Sequence, residues 1–254
     1  MITRSGRWLR GLAGVAAAVA VSEVLAATGV VPRAFLPPAS AVLRRAAELP
    51  ADPAFRTDLA TTLGAWAAGV LLAVALGVAL GLLLGGLPGV GAALRPVLEF
   101  LRPIPSVALI PLVSLILGAG LMTEVTLIGY ASLWPVLFNT VYGLGEVDPV
   151  PRETLRVFGF GPAEVMWRVS LPATAPFIAT GVRLAAAIGL ILAVGTEILA
   201  GFGDGLGVFI AQAQLAVAGT VDVLAGTVWA GTIGVLANAG LAGLSRRAFG
   251  WHGR

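Results

Sequence analysis

Residues 59–94 read LATTLGAWAAGVLLAVALGVALGLLLGGLPGVGAAL, a run without one Asp, Glu, Lys or Arg. About 20 apolar residues in a helix cover the hydrocarbon core of a bilayer. A charge at mid-bilayer costs about 2.5–3.5 kcal/mol on insertion scales, so charge-free runs of this length mark crossings. The same test, carried outward, finds more of them. Residues 103–123, 125–145 and 223–245 are also charge-free, 11–31 carry only Glu23, and 174–200 carry only Arg183 and Glu197. The expectation is an all-α, polytopic membrane protein in which residues 1–254 form a single transmembrane domain. Its six transmembrane helices fall at about 10–30, 61–86, 105–121, 124–144, 176–200 and 222–245. Composition agrees, with 58% hydrophobic and 11% charged residues where a soluble domain has about 25% charged. Period-two alternation is missing, which argues against a β-barrel. Gly77, Gly81, Gly85 and Gly86 supply the small surface that lets helices approach closely.

Residue types exclude several chemistries. The chain has no cysteine and no lysine, and its single histidine, His252, sits in the C-terminal tail. Thiolate catalysis, disulfides and cysteine or histidine metal clusters are therefore absent. A phosphate-binding Gly-x-x-x-x-Gly-Lys-Ser/Thr loop is impossible without lysine. All 16 basic residues are arginine, and they are distributed unevenly. With the N-terminus inside, eleven fall on the cytoplasmic side (Arg4, Arg7, Arg10, Arg95, Arg102, Arg152, Arg156, Arg168, Arg246, Arg247, Arg254) and four outside (Arg33, Arg44, Arg45, Arg56). That bias predicts both termini in the cytoplasm. A cleaved signal peptide at Arg4-Arg7-Arg10 and the following apolar run is the competing reading, but it leaves five spans and breaks the parity of the bias. Trp8, Trp134 and Trp251, near expected span ends, read as interfacial anchors.

One connection exceeds what a membrane protein needs to turn a corner. Residues 145–175, between the fourth and fifth spans, contain Pro149-Val-Pro151-Arg152-Glu153-Thr154-Leu155-Arg156-Val157-Phe158-Gly159-Phe160-Gly161-Pro162. Pro151 can open a helix, Gly159 to Gly161 can break it, and Pro162 can open a second. Leu155, Phe158, Val165 and Val169 are expected on a face that seats on the membrane helices. Glu153, Arg156, Glu164 and Arg168 are expected on another that meets a partner. An amphipathic pair lying at the lipid headgroups is the plainer alternative.

This stretch resembles the EAA loop of binding-protein-dependent ABC importer permeases, whose pattern is Glu-Ala-Ala, three residues, Gly, nine residues, Ile, one residue, Leu-Pro. Glu153, Gly159, Leu171 and Pro172 stand at the matching positions, with Thr154 and Leu155 in place of the alanines and Val169 in place of isoleucine. The likeness extends over about 57–249, the permease core, and points to the nitrate/sulfonate/taurine branch. It rests there on Leu101-Arg102-Pro103-Ile104-Pro105-Ser106-Val107-Ala108-Leu109-Ile110-Pro111-Leu112, on Asn139-Thr140 with Val147-Asp148-Pro149, and on Gly181-Val182-Arg183 with Glu197.

The resemblance implies a permease subunit of an ATP-driven importer in a bacterial inner or plasma membrane. It implies two ABC ATPase subunits, an extracytoplasmic solute-binding protein and a second permease copy or paralogue as partners, with membrane lipid around the bundle and no nucleic acid. The chain itself then needs no cofactor, ATP and Mg belonging to the ATPase, and it is not an enzyme. Glu153, Thr154, Leu155, Gly159, Val169, Leu171 and Pro172 would couple it to the ATPase: Glu153 as docking charge, Gly159 as the turn, Leu171-Pro172 as the stop before the fifth span. The solute would be a small one such as nitrate, taurine or an alkanesulfonate, with a thiamine-precursor pyrimidine or a riboflavin-like compound as the alternative within the class. Arg183, Glu197 and Asn139 are the candidate path residues. Arg183 and Glu197 lie fourteen residues apart, on roughly one helix face at different depths. In a different class of reading, a gradient-driven secondary transporter would use these same two charges and leave the loop without a task. Glu23 has no assignment from sequence.

Overall fold

The structure, a computed structural model, describes residues 4–249 except 30, 33, 202, 217 and 218, and every regular element among them is helical. Eleven α-helices follow in order: α1 Arg4–Thr28, α2 Ala39–Glu48, α3 Pro53–Gly86, α4 Pro88–Leu101, α5 Ile110–Leu117, α6 Leu121–Gly145, α7 Pro149–Val157, α8 Pro162–Val165, α9 Leu171–Ala200, α10 Leu206–Leu215 and α11 Thr220–Ala248. Four helical segments are long and apolar enough to cross a membrane: Pro53–Gly86, Leu121–Gly145, Pro162–Ala200 and Thr220–Ala248. A bent pair, Gly89–Leu101 with Ser106–Leu117, meets the same test only when taken together, which makes five crossings when the pair is counted as one broken span. Against the six crossings expected from sequence, four to five are found: the apolar part of α1, Ala13–Thr28, is too short to count among them.

The centre of the fold is a three-helix slab of α3, α6 and α9. Asp52 starts α3, its Oδ1 accepting from Ala54 N at 2.9 Å with Pro53 at the first helical position. Along α3, a Cβ added to Gly69, Gly77, Gly81 or Gly85 would lie 2.5–2.8 Å from a side-chain atom of Ile128, Val136, Thr140 or Leu144 respectively. The offset is 59 positions in every case, so α3 and α6 pack in parallel with a fixed register. The expected close approach at Gly77, Gly81 and Gly85 is therefore met by α6, while Gly86 meets Met166 of the loop. On the other side of α6, Gly143 faces Phe177, Gly181 faces Asn139 and Gly189 faces Ser132, an antiparallel pairing with α9. Ser132 Oγ donates to Ala185 O at 3.0 Å and Trp66 Nε1 to Ala186 O at 2.9 Å across these seams. Gly81→Ala would press a methyl against Thr140 Cβ, an atom tied to the backbone and unable to swing away. We expect a loss of about 1–3 kcal/mol, read as a lower unfolding midpoint in detergent. An unchanged midpoint would show that the seam tolerates separation.

Three further features depart from the sequence reading. The third crossing is not one helix over 105–121: it starts at α4 and is broken at 102–105, with an 81° bend, because Pro103 and Pro105 lack the N–H groups a continuous helix needs. Arg102 therefore sits at the break and not in a cytoplasmic connection. Between α9 and α11, α10 is an additional ten-residue helix. Trp134 lies at the middle of α6 and is buried, so it is not an interfacial anchor. Trp251, His252, Arg254 and the side chains of Arg4, Arg7 and Trp8 lie outside the described residues.

Glu23 acquires a role. Its carboxylate accepts from Ser40 N at 3.0 Å and Ser40 Oγ at 2.8 Å, capping the N-terminus of α2 from α1. The far side of α2 is held to α11 by the Arg45–Asp222 ion pair and by Trp229 Nε1 donating to Ala46 O.

Candidate functional site

The 145–175 loop is built from local signals. Asp148 Oδ1 accepts from Val150 N at 2.9 Å and Pro149 opens α7, two residues ahead of the expected Pro151, because Asp148 supplies the cap. Gly159, at φ +84°, ends it: Gly159 N donates to Arg156 O at 3.0 Å and Phe160 N to Leu155 O at 3.1 Å, the paired bonds of a Schellman cap. A Cβ at Gly159 would meet no atom, so the demand for glycine is in the backbone angle alone. Pro162 then opens α8, and Glu164 Oε2 returns to Gly161 N at 3.1 Å.

From α8 the helix does not stop. Met166–Ser170 form a π turn, in which Leu171 N reaches Met166 O, and Pro162–Ala200 continue as one helix of 39 residues. The expected break at Leu171-Pro172 is thus replaced by a local widening, since Pro172 removes a donor that regular α-pairing would use. Two contacts seat the loop on the bundle: Arg152 Nη2 donates to Leu144 O at 2.6 Å, and Met166 packs toward Gly86.

The coupling candidates sort by exposure. Glu153, Thr154, Gly159 and Pro172 are exposed, whereas Leu155, Val169 and Leu171 are half-buried. Val165 is buried, as expected of the seating face. Phe158 is not: it is 76% exposed, with Val157 at 86% and Trp167 at 68%. These exposed apolar side chains share the loop with the exposed Glu153, Arg156 and Arg168 and make it an apolar knob among charges. Exposed apolar surface of this kind suits contact with another protein.

The path candidates are not brought together. Glu197 is buried at the end of the bundle remote from the loop, where Oε1 accepts from Thr62 Oγ1 at 2.7 Å and Oε2 from Gly207 N at 2.6 Å. Leu206 N donates to Thr62 Oγ1 at 2.8 Å and Gly205 N to Asp58 Oδ1 at 3.0 Å. Three successive amides at the start of α10 are thereby capped by side chains from α3 and α9, which fixes Glu197 in a structural task. Glu124, unnoticed in the sequence, lines the same small cavity of about 90 Å³ as Glu197 and Thr196. Arg183 lies on another side of α9, its Nη2 donating to Asn238 Oδ1 of α11 at 3.1 Å beside an open groove of about 700 Å³.

Asn139 belongs to a third place, the break of the third crossing. Its Nδ2 donates to Pro135 O at 2.7 Å, and it lines a cavity of about 430 Å³ with Arg102, Ser106 and Trp134. Along α6, Tyr130, Trp134 and Phe138 form an aromatic row at four-residue spacing, with ring centroids 5.6 and 6.4 Å apart. Tyr130 OH donates to Leu101 O at 2.7 Å, satisfying a carbonyl next to the break. The Arg102 guanidinium lies 4.8 Å from the centre of the Phe138 ring. The row spans the middle of α6, so the break lies near mid-bundle. From sequence alone, a charge between two apolar runs such as Arg102 reads as a span boundary, which is why its place at the break is visible only in the fold.

Comparison with known proteins places this arrangement. The family described as "binding-protein-dependent transport system inner membrane component" matches residues 73–249. The taurine transport system permease protein of Escherichia coli is 34% identical over 166 residues, 65% of this chain and 60% of that protein. The putative aliphatic sulfonates transport permease protein of Bacillus subtilis is 30% identical over 244 residues, 96% of this chain and 88% of that protein. The nitrate import permease protein of Leptolyngbya laminosa is 29% identical over 147 residues, 58% of this chain and 52% of that protein. The matched stretch is thus less than two thirds of the taurine and nitrate proteins. Among solved structures, the MetNI methionine ABC transporter in an inward-facing conformation matches with TM-score 0.63 and 18% identity, covering 74% of this chain and 93% of that one, a likeness of fold.

Proposed function

Because the chain belongs to the family of binding-protein-dependent transport system inner membrane components, we propose that it is the membrane-embedded permease subunit of an ATP-driven importer, carrying a small anion of the taurine, sulfonate or nitrate type. The permease role follows from family and fold. Energy and delivery come from other polypeptides: two ABC ATPases that bind ATP and Mg, and an extracytoplasmic binding protein that presents the solute. A second copy of the chain or a paralogue completes the path, since two-fold pairing is the simplest closure of half a channel. All of 1–254 acts as one transmembrane domain in an inner or plasma membrane, with both termini and the 145–175 loop in the cytoplasm.

The observation that carries this reading is the exposed apolar knob at Val157, Phe158 and Trp167 on a loop continuous with the helix Pro162–Ala200. ATPase closure would move the knob, and a continuous helix would pass the displacement into the bundle. Glu153, Thr154 and Gly159 face or shape the docking side, while Leu155, Val169, Leu171 and Pro172 join it to the membrane helices. The gradient-driven alternative is less favoured, because Glu197 is committed to capping α10 and Arg183 to Asn238.

Co-purification with the cognate ATPase tests the proposal. Native chain is expected to retain the ATPase through size exclusion. Gly159→Val, forced into a backbone region that β-branched residues avoid, is expected to lose it while remaining monodisperse. A native chain that is well folded and captures no ATPase would overturn the importer reading.

A further inference from the structure

We propose that Arg102, at the break between α4 and the 3₁₀ turn Ser106–Leu109, is the mid-membrane contact for the solute, and that it binds a small oxyanion through its guanidinium. The inference rests on the importer reading above and names the group that recognises the solute inside the permease.

Four observations converge on this side chain. A charged residue within a membrane bundle is expensive and is ordinarily paired. Arg102, exposed on the single chain at the break, has no ion-pair or side-chain hydrogen-bond partner among the described residues, and its guanidinium lies against the Phe138 ring. The nearest candidate acid on its own helix, Glu99, is taken by Arg95 at 2.8 Å. Arg102 also borders two open pockets, of about 430 and 640 Å³, the larger also lined by Arg95, and no carboxylate other than Glu99 lines either one. Volumes of this size accommodate a small organic solute.

The break that holds Arg102 is a supported structure. Pro103 and Pro105 prevent a continuous helix, Tyr130 satisfies the Leu101 carbonyl, and the aromatic row of α6 backs the elbow. Helix interruptions near mid-membrane, lining a cavity, are where transported solutes meet protein. By contrast Arg183 already donates to Asn238. Arg102 therefore offers five N–H donors in a planar fork suited to two oxygens of a sulfonate, nitrate or bicarbonate, with the Ser106 hydroxyl in the same cavity as a further donor. The Escherichia coli, Bacillus subtilis and Leptolyngbya laminosa relatives are named for taurine, aliphatic sulfonates and nitrate, and each of these carries an oxyanion group. The phosphate of an anionic lipid has the same chemistry and is the other source of such a group.

The test uses the full chain with its ATPase in phosphatidylcholine nanodiscs, titrated with sodium methanesulfonate against sodium chloride at constant ionic strength. The expected result is a saturable rise in unfolding temperature with methanesulfonate only. Arg102→Gln should raise the half-saturating concentration about tenfold or more, as loss of a charged donor implies. Arg102→Lys, which keeps charge without the fork, should fall between, and Arg44→Gln, on the exposed side of α2 and lining neither pocket, should match native. The absence of a methanesulfonate response in native protein, or an equal response in Arg102→Gln, overturns the assignment. Nanodiscs containing phosphatidylglycerol form a second arm, and abolition of the native response there would give Arg102 to a lipid and overturn the solute contact. ATPase retention is read on the same samples: if it is retained without an anion response, only Arg102 is struck, whereas its loss from native protein strikes the importer reading itself.

Discussion

Glu197→Ala is expected to release α10 from the bundle and to cost on the order of 2–3 kcal/mol, since the buried Gly207 amide loses its acceptor and an unpaired donor costs about 1–3 kcal/mol, while the Thr62 hydroxyl falls back on the Asp58 carbonyl at 3.2 Å. The vacated volume adds a cavity cost. Thr62 is the centre of the knot, donating to Glu197 and accepting from Leu206 N, so its loss of orientation also loosens the neighbouring amide. Glu197→Gln retains one acceptor oxygen and should lose less. A single cysteine at Val208, buried in the native fold, provides the readout against a background free of other thiols. Its reaction with a maleimide should accelerate strongly in Glu197→Ala and modestly in Glu197→Gln. Equal reactivity in all three chains, with equal unfolding midpoints, would show that α10 is held by its apolar contacts to Phe55 and Ala225 and not by the cap.

Arg152→Ala should separate docking from transmission. Arg152 faces the bundle, bonding the last turn of α6, while Val157, Phe158 and Trp167 are exposed. Without the bond, α7 still carries its docking side chains but pivots against α6. ATPase association is therefore expected to persist, and ATP-driven uptake of the solute delivered by the binding protein to fall about tenfold or more, the equivalent of losing one charged hydrogen bond. Arg152→Lys should recover part of it. Uptake at the native level in Arg152→Ala would assign the seating of α7 to Leu155 and Val165 instead. Loss of ATPase binding together with uptake would mean that the bond shapes the docking surface itself.

The sequence was most legible where a single rule sufficed. Charge-free runs located α3, α6, α9 and α11, and glycine with proline spacing located α7, its left-handed cap and α8. The same rule misled wherever a charge lies inside the bundle. Arg102 was taken as the edge of a cytoplasmic connection, although the aromatic row of α6 and the satisfied Leu101 carbonyl allow it to sit at mid-bundle. Glu124 separates two charge-free runs and passed as a boundary, yet it is buried within α6 next to the cavity shared with Glu197. A ten-residue helix such as α10 is below the length that a crossing needs, and its stability depends on Asp58, Thr62 and Glu197, bonded across up to 147 positions. No local pattern encodes that dependence. Arg183 and Glu197 share a helix face in projection, but facing directions alone could not show that Asn238 and Gly207 claim them separately.

The π turn at Met166–Ser170 fixes an angle as well as a length. A residue in an α-helix advances about 100° around the axis, and a π turn holds the equivalent of one extra residue without extending the helix by a full step. The knob of α7 and α8 is thereby dialled around the axis of α9 relative to the faces that meet α3 and α6. Closing the segment into ordinary α-geometry with all five residues kept would turn everything upstream by about 100°, whereas deleting one of them would remove the bulge and leave the azimuth in place. Pro172 keeps that setting from drifting, because the missing N–H disfavours the regular pairing on that turn. The loop and the membrane slab are thus phased to each other by five residues, and families of such chains could change the azimuth at which they present their cytoplasmic surface without altering a single contact inside the bundle.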